Sequence, residues 1–480
     1  MTYETVIGLE VHLQLATKSK LFCGCSAVFG AAANSQTCPV CLGLPGVLPV
    51  LNAKALEWGI RVGLAFNCQM VDVMKFDRKQ YFYPDLPKGY QISQFDRPLA
   101  RQGWLDILVG EQSKRVRIHR MHLEEDAGKL LHENSANESL VDFNRAGVPL
   151  LEIVTEPDMR SADEAYAYLT ELKATIEYLD VSTCNMEEGS LRCDTNISLR
   201  PAGSEKLGSK VEIKNLNSFR AVKQAVDYEV ARQKAALDAG ERIPQETRLW
   251  DAKKLVTESM RSKEEAADYR YFPEPDLVPF VLSPARIDPV RKQLPELPAQ
   301  RRQRFQDKYA LSAYDAGVLT QNRHVADFFE KTAGAGAKPK LAANWIMGDL
   351  QGYLNTKNVA FHQVTIKPEW LAKLIRLVED GTLSGKMAKE VFTHMLQRGA
   401  DPDTIVQELG LRQITDTSAL DQLAADVIAA NPAAVAEYLK GKSTSLMFLV
   451  GQAMKRSRGQ ANPQQLTEAI RKQLATEVRS

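Results

Sequence analysis

The sequence predicts an α+β fold in which one large domain containing a β-sheet is followed by helices alone. Apolar and polar residues alternate in short runs through residues 1–295, as they do in half-buried strands. Prolines then crowd between Pro273 and Pro298, which favours an extended connection and a domain boundary. Beyond it the apolar period lengthens to about 3.6 residues, the period of a helix. We therefore predict an α+β domain over 1–295, an all-α domain over 296–410 and a small all-α tail over 411–480.

The first predicted strand, Thr5–Leu15, has two chemically different faces. Apolar side chains occupy one face, whereas Glu10, His12 and Gln14 fall on the other. Similar alternation predicts strands at Val116–Leu123, Leu191–Leu199 and Lys210–Lys214. Helical periodicity predicts helices at Ala53–Leu64, Ala162–Leu179 and Ser218–Ala239. The second of these helices has the spacing of a capping box at its start, formed by Ser161 and Glu164.

Helices alone are predicted in the later part of the chain. They are expected at Arg301–Tyr309, Ala316–Thr320, Val325–Ala333, Leu341–Tyr353, Pro368–Val378, Ser384–Gly399 and Pro402–Leu409, with a further helical group over 416–480. Lys440–Thr444 is similar to the end of a phosphate-binding loop. The glycine that such a loop requires is replaced by Ala436, and no strand precedes it, so we predict a turn before a final basic helix.

Composition excludes several classes of protein. The 480 residues carry a formal net charge of +1, so any contact with nucleic acid must come from local patches. The first twenty residues lack the pattern of a secretory signal, and no run of about 20 apolar residues could cross a bilayer. We therefore predict a cytoplasmic protein without membrane contact. Seven cysteines in such a chain do not predict a disulfide framework.

Four of the cysteines are crowded into one segment. Cys23 and Cys25 are separated by twelve residues from Cys38 and Cys41. Two close pairs joined by a loop can place four thiolates around Zn²⁺, and four protein ligands would make the site structural. Four reduced cysteines in a small apolar cluster, or a redox role, are the alternatives. The other three cysteines, at positions 68, 184 and 193, are expected in the core.

Acidic residues recur on predicted strand faces and strand ends. They are Glu10 beside His12, the run Glu124, Glu125 and Asp126, then Glu152, and finally Asp194 with Asn196 beside Arg192. Buried acids are costly unless they bind or pair with a cation, so together they indicate a site for Mg²⁺, or for Mn²⁺ because of the histidine. Singly, each acid would more often be a solvated group or a salt-bridge partner.

The segment Phe76–Gln94 mixes basic residues, aromatics and turn-formers. Lys79 and Lys88 could neutralise phosphate oxygens, and Tyr81 and Tyr83 could stack on a base. A plain solvated loop is the alternative. Because the chain has no standard nucleotide motif, any ATP site must be of another kind.

Long stretches of the chain resemble one known family, the B subunits of bacterial glutamyl/aspartyl-tRNA amidotransferases (the GatB/GatE family of GatCAB enzymes). The matching stretches are Val6–His12, Phe76–Gln94, His122–Lys129, Asp142–Pro157, Arg192–Arg200, Lys210–Phe219 and Ser262–Leu277. The resemblance implies a cradle with a large mixed or antiparallel sheet in the first domain.

The resemblance also implies the activity. Such a protein uses ATP to phosphorylate the side-chain carboxylate of misacylated Glu-tRNA(Gln) or Asp-tRNA(Asn), and ammonia then replaces the phosphate. The amidase, or A, component of the enzyme would supply the ammonia from glutamine, and the small C component would complete a heterotrimer. A tRNA-binding scaffold without chemistry, and a free-standing kinase or amide ligase for small molecules, are the rival hypotheses.

Carried over residue by residue, the resemblance implies roles for individual positions. Glu10, His12, Glu125 and Glu152 would be catalytic and would bind Mg²⁺. ATP or its phosphates would contact Lys79, Lys88, Arg192, Asp194, Asn196 and Lys214. The four clustered cysteines would bind structural Zn²⁺, and tRNA would contact Lys455, Arg456 and Arg458 in the tail.

Overall fold

A computed structural model describes residues 2–110, 112–131, 138–262, 270–411, 413–414, 416–457 and 459–477. The chain forms two compact units, Met1–Arg301 with Gln321–Arg323, and Arg302–Thr320 with His324–Ser480. The first unit contains the sheets and the second is helical, which confirms the predicted α+β class followed by helices. The finer division at residue 410 stays a prediction.

The first unit is built on sixteen strands among the described residues. Their bounds are β1 Tyr3–Gln14, β2 Gln69–Met70, β3 Val73–Met74, β4 Asp77–Gln80, β5 Tyr90–Ser93, β6 Ala100–Val109, β7 Gln112–Glu125, β8 Lys129–Leu131, β9 Leu140–Asp142, β10 Pro149–Thr155, β11 Leu191–Pro201, β12 Val211–Lys214, β13 Glu246–Asp251, β14 Val256–Ser262, β15 Tyr271–Pro273 and β16 Phe280–Val281. The four predicted strands lie within or next to β1, β7, β11 and β12.

Nine of these strands form the main sheet, in the order β14-β13-β12-β11-β1-β10-β7-β6-β2. Neighbours are antiparallel except for β12 and β13, which are parallel, so the sheet is mixed as expected. β1 is the central strand. A smaller sheet of β15, β4 and β5 lies beside β7, where Ser93 of β5 donates a hydrogen bond to Glu124 of β7.

Helices cover one face of the main sheet. The first unit has α1 Pro39–Leu42, α2 Ala53–Ala65, α3 Ala162–Leu179, α4 Phe219–Asp238 and α5 Pro284–Lys292. The apolar face of β1, with Ile7, Leu9 and Val11 fully or almost fully buried, belongs to the same core as Tyr168 and Leu169 of α3. Each such side chain contributes about 1.5–3 kcal/mol on burial, so this packing decides which face of β1 turns inward.

Serine caps begin two of the long helices, but the capping box predicted at Ser161 is half formed, because the Glu164 carboxylate accepts from the Arg160 amide at 2.6 Å and not from Ser161. The Ser161 hydroxyl accepts a hydrogen bond from the Glu164 amide at 3.2 Å, and α3 has the predicted bounds. Ser218 caps α4 in the same way through Ala221, at 3.0 Å. A hydroxyl at this position satisfies an amide that no helical carbonyl can reach.

The proline-rich segment is not simply extended, which corrects the prediction made from its composition. Part of it forms β16, and Pro284 opens α5. Proline is compatible with the first turn of a helix because the amide it lacks would have no helical partner there. A high proline content alone therefore overestimates the length of the extended connection, because a proline can also occupy the first turn of a helix.

The helical part of the chain follows the prediction closely. Its elements are α6 Pro298–Tyr309, α7 Ala313–Thr320, α8 Arg323–Gly334, α9 Pro339–Asn344, a π-helical segment Trp345–Leu350, α10 Gln351–Lys357, a 3₁₀ turn Phe361–Gln363, α11 Pro368–Glu379, α12 Gly385–Arg398, α13 Pro402–Leu409, α14 Thr417–Ala430, α15 Pro432–Leu439, α16 Thr444–Arg456 and α17 Pro463–Glu477. The predicted turn at Lys440 precedes α16, but α17 follows it, so α16 is not the final helix.

The second unit has two separate apolar clusters. One contains Phe305, Phe329 and Leu350, and the other contains Leu449 and Ile470. Among the residues described, no helix is long and apolar enough to span a membrane.

A buried polar network ties α4 to the edge of the main sheet. Glu229 has no exposed surface, and its carboxylate accepts hydrogen bonds from Arg232 (2.6 and 2.9 Å), Gln233 (2.8 Å) and Thr257 (3.1 Å). Removal of one partner from such a network leaves the others buried and unpaired.

We expect Glu229→Ala to lower the free energy of unfolding of the first unit by about 1–3 kcal/mol, because Arg232, Gln233 and Thr257 lose a fully buried acceptor while Glu246, 3.5 Å from Arg232, remains as a counter-charge. Glu258→Ala is the control: this exposed glutamate of β14 pairs with Lys254 at 2.7 Å, and its loss should cost about 0.2–1 kcal/mol. Urea unfolding of both variants checks the prediction, which equal costs would contradict.

Candidate functional site

The register of the main sheet aligns polar side chains in a row across four strands. Arg192 of β11 lies opposite His12 of β1, which lies opposite Glu152 of β10, which lies opposite His122 of β7. Directly opposed residues point to the same face of a sheet. Since the other face of β1 is packed against the core, this row lies on the face away from α3.

Two histidines and two glutamates in and beside this row form a compact cluster. The Nε2 atom of His12 lies 3.4 Å from a carboxylate oxygen of Glu152. The Nε2 atom of His122 lies 3.3 Å from oxygens of both Glu152 and Glu124. One ligand atom from each of His12, Glu124 and Glu152 lies within 4.8 Å of the others, so these three residues could hold a metal ion.

The electrostatics of the cluster keep its carboxylates ionised. Burial raises the pKa of Glu152, but His122 and His12 outweigh it and hold that pKa well below its usual range. Burial lowers the pKa of His122, but Glu152 and Glu124 together raise it to about 9. The buried carboxylates thus face the cationic form of His122, as the cost of desolvating charge requires.

A second group of predicted residues lies further along the same face. The Asn196 amide donates to a Glu10 oxygen at 3.1 Å. The Lys214 ammonium lies 2.6 Å from Asp194 and 3.5 Å from Glu212. Since Glu10 and Asp194 are directly opposed on β1 and β11, this group continues the polar face beside His12.

Glu125, a predicted metal ligand, does not join the cluster of His12 and Glu152. It follows Glu124 along β7 and therefore points to the opposite side of the strand. Its carboxylate pairs with Lys88 and accepts a hydrogen bond from the Ile92 amide at 3.1 Å. The pair borders a cavity of about 140 Å³ that is also lined by Cys23 and Cys41.

Of the remaining predicted contacts in the first unit, Arg192 and Lys79 lie near the cluster. Arg192 donates to the buried Asp126 at 2.8 Å. The positive charge of Lys79 on β4 helps lower the pKa of Glu124, although burial raises it and His122 has the larger lowering effect. In the tail, Lys455 and Arg456 are exposed at the end of α16, and Arg456 lies 3.2 Å from Asp426. Arg458 lies outside the described residues.

Two members of the cluster, His122 and Glu124, are absent from the metal ligands that the resemblance implies, although Glu124 is among the acids that the sequence pattern indicates. The signal is present, because residues two apart in a strand share a face and His122 precedes Glu124 by two. The apolar Met121 and Leu123 share the side of β7 on which Glu125 lies, so alternation places Glu124, and not Glu125, on the polar face.

The four predicted cysteines lie together at the first turn of α1. Ligand atoms of all four lie within 4.8 Å of one another, and the sulfurs of Cys38 and Cys41 are 3.9 Å apart. Tetrahedral thiolates at 2.3 Å from a zinc ion would be about 3.8 Å apart. Hydrogen bonding from Cys23 lowers the pKa of Cys41, and the same bond raises the pKa of Cys23. The cluster therefore has the spacing and donor atoms for a metal.

Comparison with known proteins identifies relatives over the whole chain. A family model described as the GatB/GatE catalytic domain matches residues 5–288, and a model described as the GatB domain matches residues 327–474. Proteins named as B subunits of aspartyl/glutamyl-tRNA(Asn/Gln) amidotransferases are similar to it. That of Carboxydothermus hydrogenoformans is 54% identical over 476 residues, covering 98% of this chain and 99% of the relative. Those of Thermoanaerobacter sp. strain X514 (52%; 99% and 100% covered) and Acaryochloris marina (50%; 98% and 98%) are also similar.

We expect Glu124→Gln and Glu125→Gln to differ in their effect on divalent cation binding. Glu124 lies in the cluster with His12 and Glu152, so its substitution should weaken Mn²⁺ binding by at least about 10-fold. Glu125→Gln should leave binding close to that of the unmodified protein. Electron paramagnetic resonance of free Mn²⁺ measures both; loss with Glu125→Gln alone would place the cation beside Lys88 instead.

Proposed function

The chain belongs to the GatB/GatE family, and from this premise we propose that it is the component of a tRNA-dependent amidotransferase that activates and amidates the aminoacyl group. The observation that carries the proposal is the row of His12, Glu152 and His122 with Glu124 beside it. Two buried, ionised carboxylates beside histidines on a sheet face suit phosphoryl transfer, in which the protein mainly positions groups and offsets charge.

The proposed reaction has two steps on the same carboxyl group. The side-chain carboxylate of glutamate or aspartate, esterified to tRNA, attacks the γ-phosphorus of ATP, and ADP leaves with the electrons of the broken P–O bond. Ammonia then attacks the acyl carbon, phosphate leaves, and a proton is released as the amide forms. A carboxylate is a poor acyl donor and an acyl phosphate a good one, which is why ATP is consumed.

The donor set at the cluster fits a Mg²⁺ or Mn²⁺ ion, held by His12, Glu124 and Glu152. Such an ion supplies positive charge that offsets the charge of phosphate oxygens. His122 holds the two carboxylates at fixed positions through its Nε2 atom. Glu10, Asp194, Asn196 and Lys214 extend the polar face on which ATP would lie, and Lys79 and Arg192 are the proposed further contacts for its phosphates. Lys88, which pairs with Glu125 on the opposite side of β7, stays a sequence-based prediction.

The proposed partners follow from the family. The chain would act in the cytoplasm in a heterotrimer with the amidase (A) component, which releases ammonia from glutamine, and the small C component. Misacylated tRNA would contact the tail, predicted as residues 411–480, through Lys455, Arg456 and Arg458. Local charge of this kind suffices for phosphate contacts although the whole chain is nearly neutral.

We propose Zn²⁺ as the metal of the cysteine cluster, because four thiolates are the preferred donors of structural zinc. A closed set of four protein ligands leaves no position for a substrate. The role of this ion would be to hold residues 23–41 in place beside the cavity that Lys88 and Glu125 line.

We expect Glu152→Gln to abolish ATP-dependent amidation in the reconstituted complex while tRNA binding changes little. The substitution removes the charge that lies between His12 and His122, but it keeps the size of the side chain. Release of ³²P-phosphate from ATP, amide formation on misacylated tRNA and filter binding of tRNA measure the three properties.

The exposed Glu258→Gln serves as the control for that experiment and should behave like the unmodified protein. Intact ATP cleavage with weakened tRNA binding in Glu152→Gln would favour the rival scaffold hypothesis. Turnover of free glutamate, ATP and ammonia without tRNA would favour a small-molecule ligase.

We expect about one equivalent of zinc in the purified protein and its loss in Cys38→Ser, because three thiolates hold the ion less tightly than four. Plasma mass spectrometry measures the metal, and Cys68→Ser, a change at a buried cysteine outside the cluster, is the control. Less than a tenth of an equivalent of zinc in the unmodified protein would overturn the zinc assignment.

A further inference from the structure

Lys20 is a lysine with no exposed surface. Lysines almost always keep the ammonium in water, and a buried ammonium requires a nearby negative charge. Its Nζ atom lies 3.6 Å from the Cys41 sulfur and 3.3 Å from the Phe143 carbonyl oxygen. Because a carbonyl carries no net charge, the sulfur is the partner that can provide one. Glu125 also approaches Gly147 and lines the same cavity as Lys20, but its carboxylate is paired with Lys88.

The sulfur that Lys20 contacts is the one that water screens least. Cys41 is 5% exposed, whereas Cys23, Cys25 and Cys38 are partly exposed. Four thiolates around a dication leave an excess of about two negative charges. Solvent can stabilise that excess at the other three sulfurs, but at Cys41 the protein must do so. The Cys38 amide, 3.2 Å away, and the Lys20 ammonium both point to this atom.

The backbone of Lys20 is bound to the other half of the cluster. Its amide donates to the Cys25 carbonyl at 3.0 Å, and the next amide, of Leu21, donates to Gly147 at 2.8 Å. The residue therefore joins the first cysteine pair through its backbone and the second pair through its side chain. This double attachment fixes the position of the charge relative to all four sulfurs.

From these contacts we propose that Lys20 is the positioning residue and counter-charge of the cysteine cluster, and that its charge is needed to retain the metal. The inference rests on the proposed zinc site and goes beyond it. Lys20 is not a ligand; it acts on the ion through the charge it places beside Cys41.

The first test removes the charge and keeps the stem of the side chain. Lys20→Met in the full-length chain should weaken zinc affinity by about 10–100-fold, the usual effect of losing a group that supports a ligand. Competition with a chromophoric chelator measures the affinity. Lys20→Arg keeps the charge and should retain most of the affinity. Lys18→Met is the matched control, since this lysine is exposed two residues away and should have no effect.

The second test separates charge from packing. Cys25→His replaces a thiolate by a neutral imidazole, as in Cys₃His sites, and so lowers the excess negative charge without touching Lys20 or Cys41. If Lys20 acts through charge, Lys20→Met should lower zinc affinity less in the Cys25→His protein than in the protein with all four cysteines. The decrease in the logarithm of the affinity should then be at most half as large. If it acts through packing, the two decreases should be equal.

The outcomes are distinct. Unmodified protein without zinc would overturn the zinc assignment itself. If the unmodified protein holds one equivalent of zinc and Lys20→Met binds zinc with unchanged affinity, only the role of Lys20 is overturned. The same conclusion follows if Lys20→Met loses equal affinity with and without Cys25→His. If Lys20→Met does not fold, Lys20→Gln, compared with Lys20→Arg in the same two backgrounds, decides the question.

Discussion

The pairing of β1 with β10 and β11 is the constraint on which the candidate site depends. It sets His12 opposite both Glu152 and Arg192, and Glu10 opposite Asp194. A slip of one residue would turn every side chain of β1 to the other face. Such a slip would bring Glu10 and His12 into the apolar core and expose Ile7 and Leu9. The packing of the apolar face of β1 therefore determines which residues lie on the polar face of the sheet.

The cost of a charged sheet face explains why the polar residues occur in matched groups. Taking a carboxylate out of water costs several kcal/mol, more than the burial of one apolar side chain returns. The cluster meets this cost locally: each glutamate has a histidine at 3.3–3.4 Å, and Asp194 has Lys214 at 2.6 Å. A cation or phosphate that bound to this face would replace one member of an existing ion pair, because each of these charged groups already has a partner.

The sequence predicts much of this arrangement, and the parts it misses have separate physical causes. Helix periodicity and caps are local, so α3 and α13 have the predicted bounds. The faces of β1 are also local, and they place Glu10 and His12 together. The register between distant strands is not local, so no local pattern predicts the row of Arg192, His12, Glu152 and His122. The resemblance names Glu125 as a ligand, whereas the structure brings Glu124 to Glu152. The helix at Pro284 is absent from the prediction because proline is favourable in the first turn of a helix but unfavourable in its interior, and composition does not distinguish the two positions.

The adjacent pair Glu124 and Glu125 also suggests why the cysteine cluster lies where it does. Strand alternation sends Glu124 to the face of His12 and Glu125 to the cavity beside Cys23 and Cys41. Lys88, the partner of Glu125, packs against Gly43, where α1 ends with a φ of 70° and where a larger side chain would collide with it. Any shift of the cysteine segment would therefore move Lys88 and, through β7, the backbone that carries Glu124. A structural metal at this position would restrain the strand that supplies the cluster on the opposite face without taking part in the reaction.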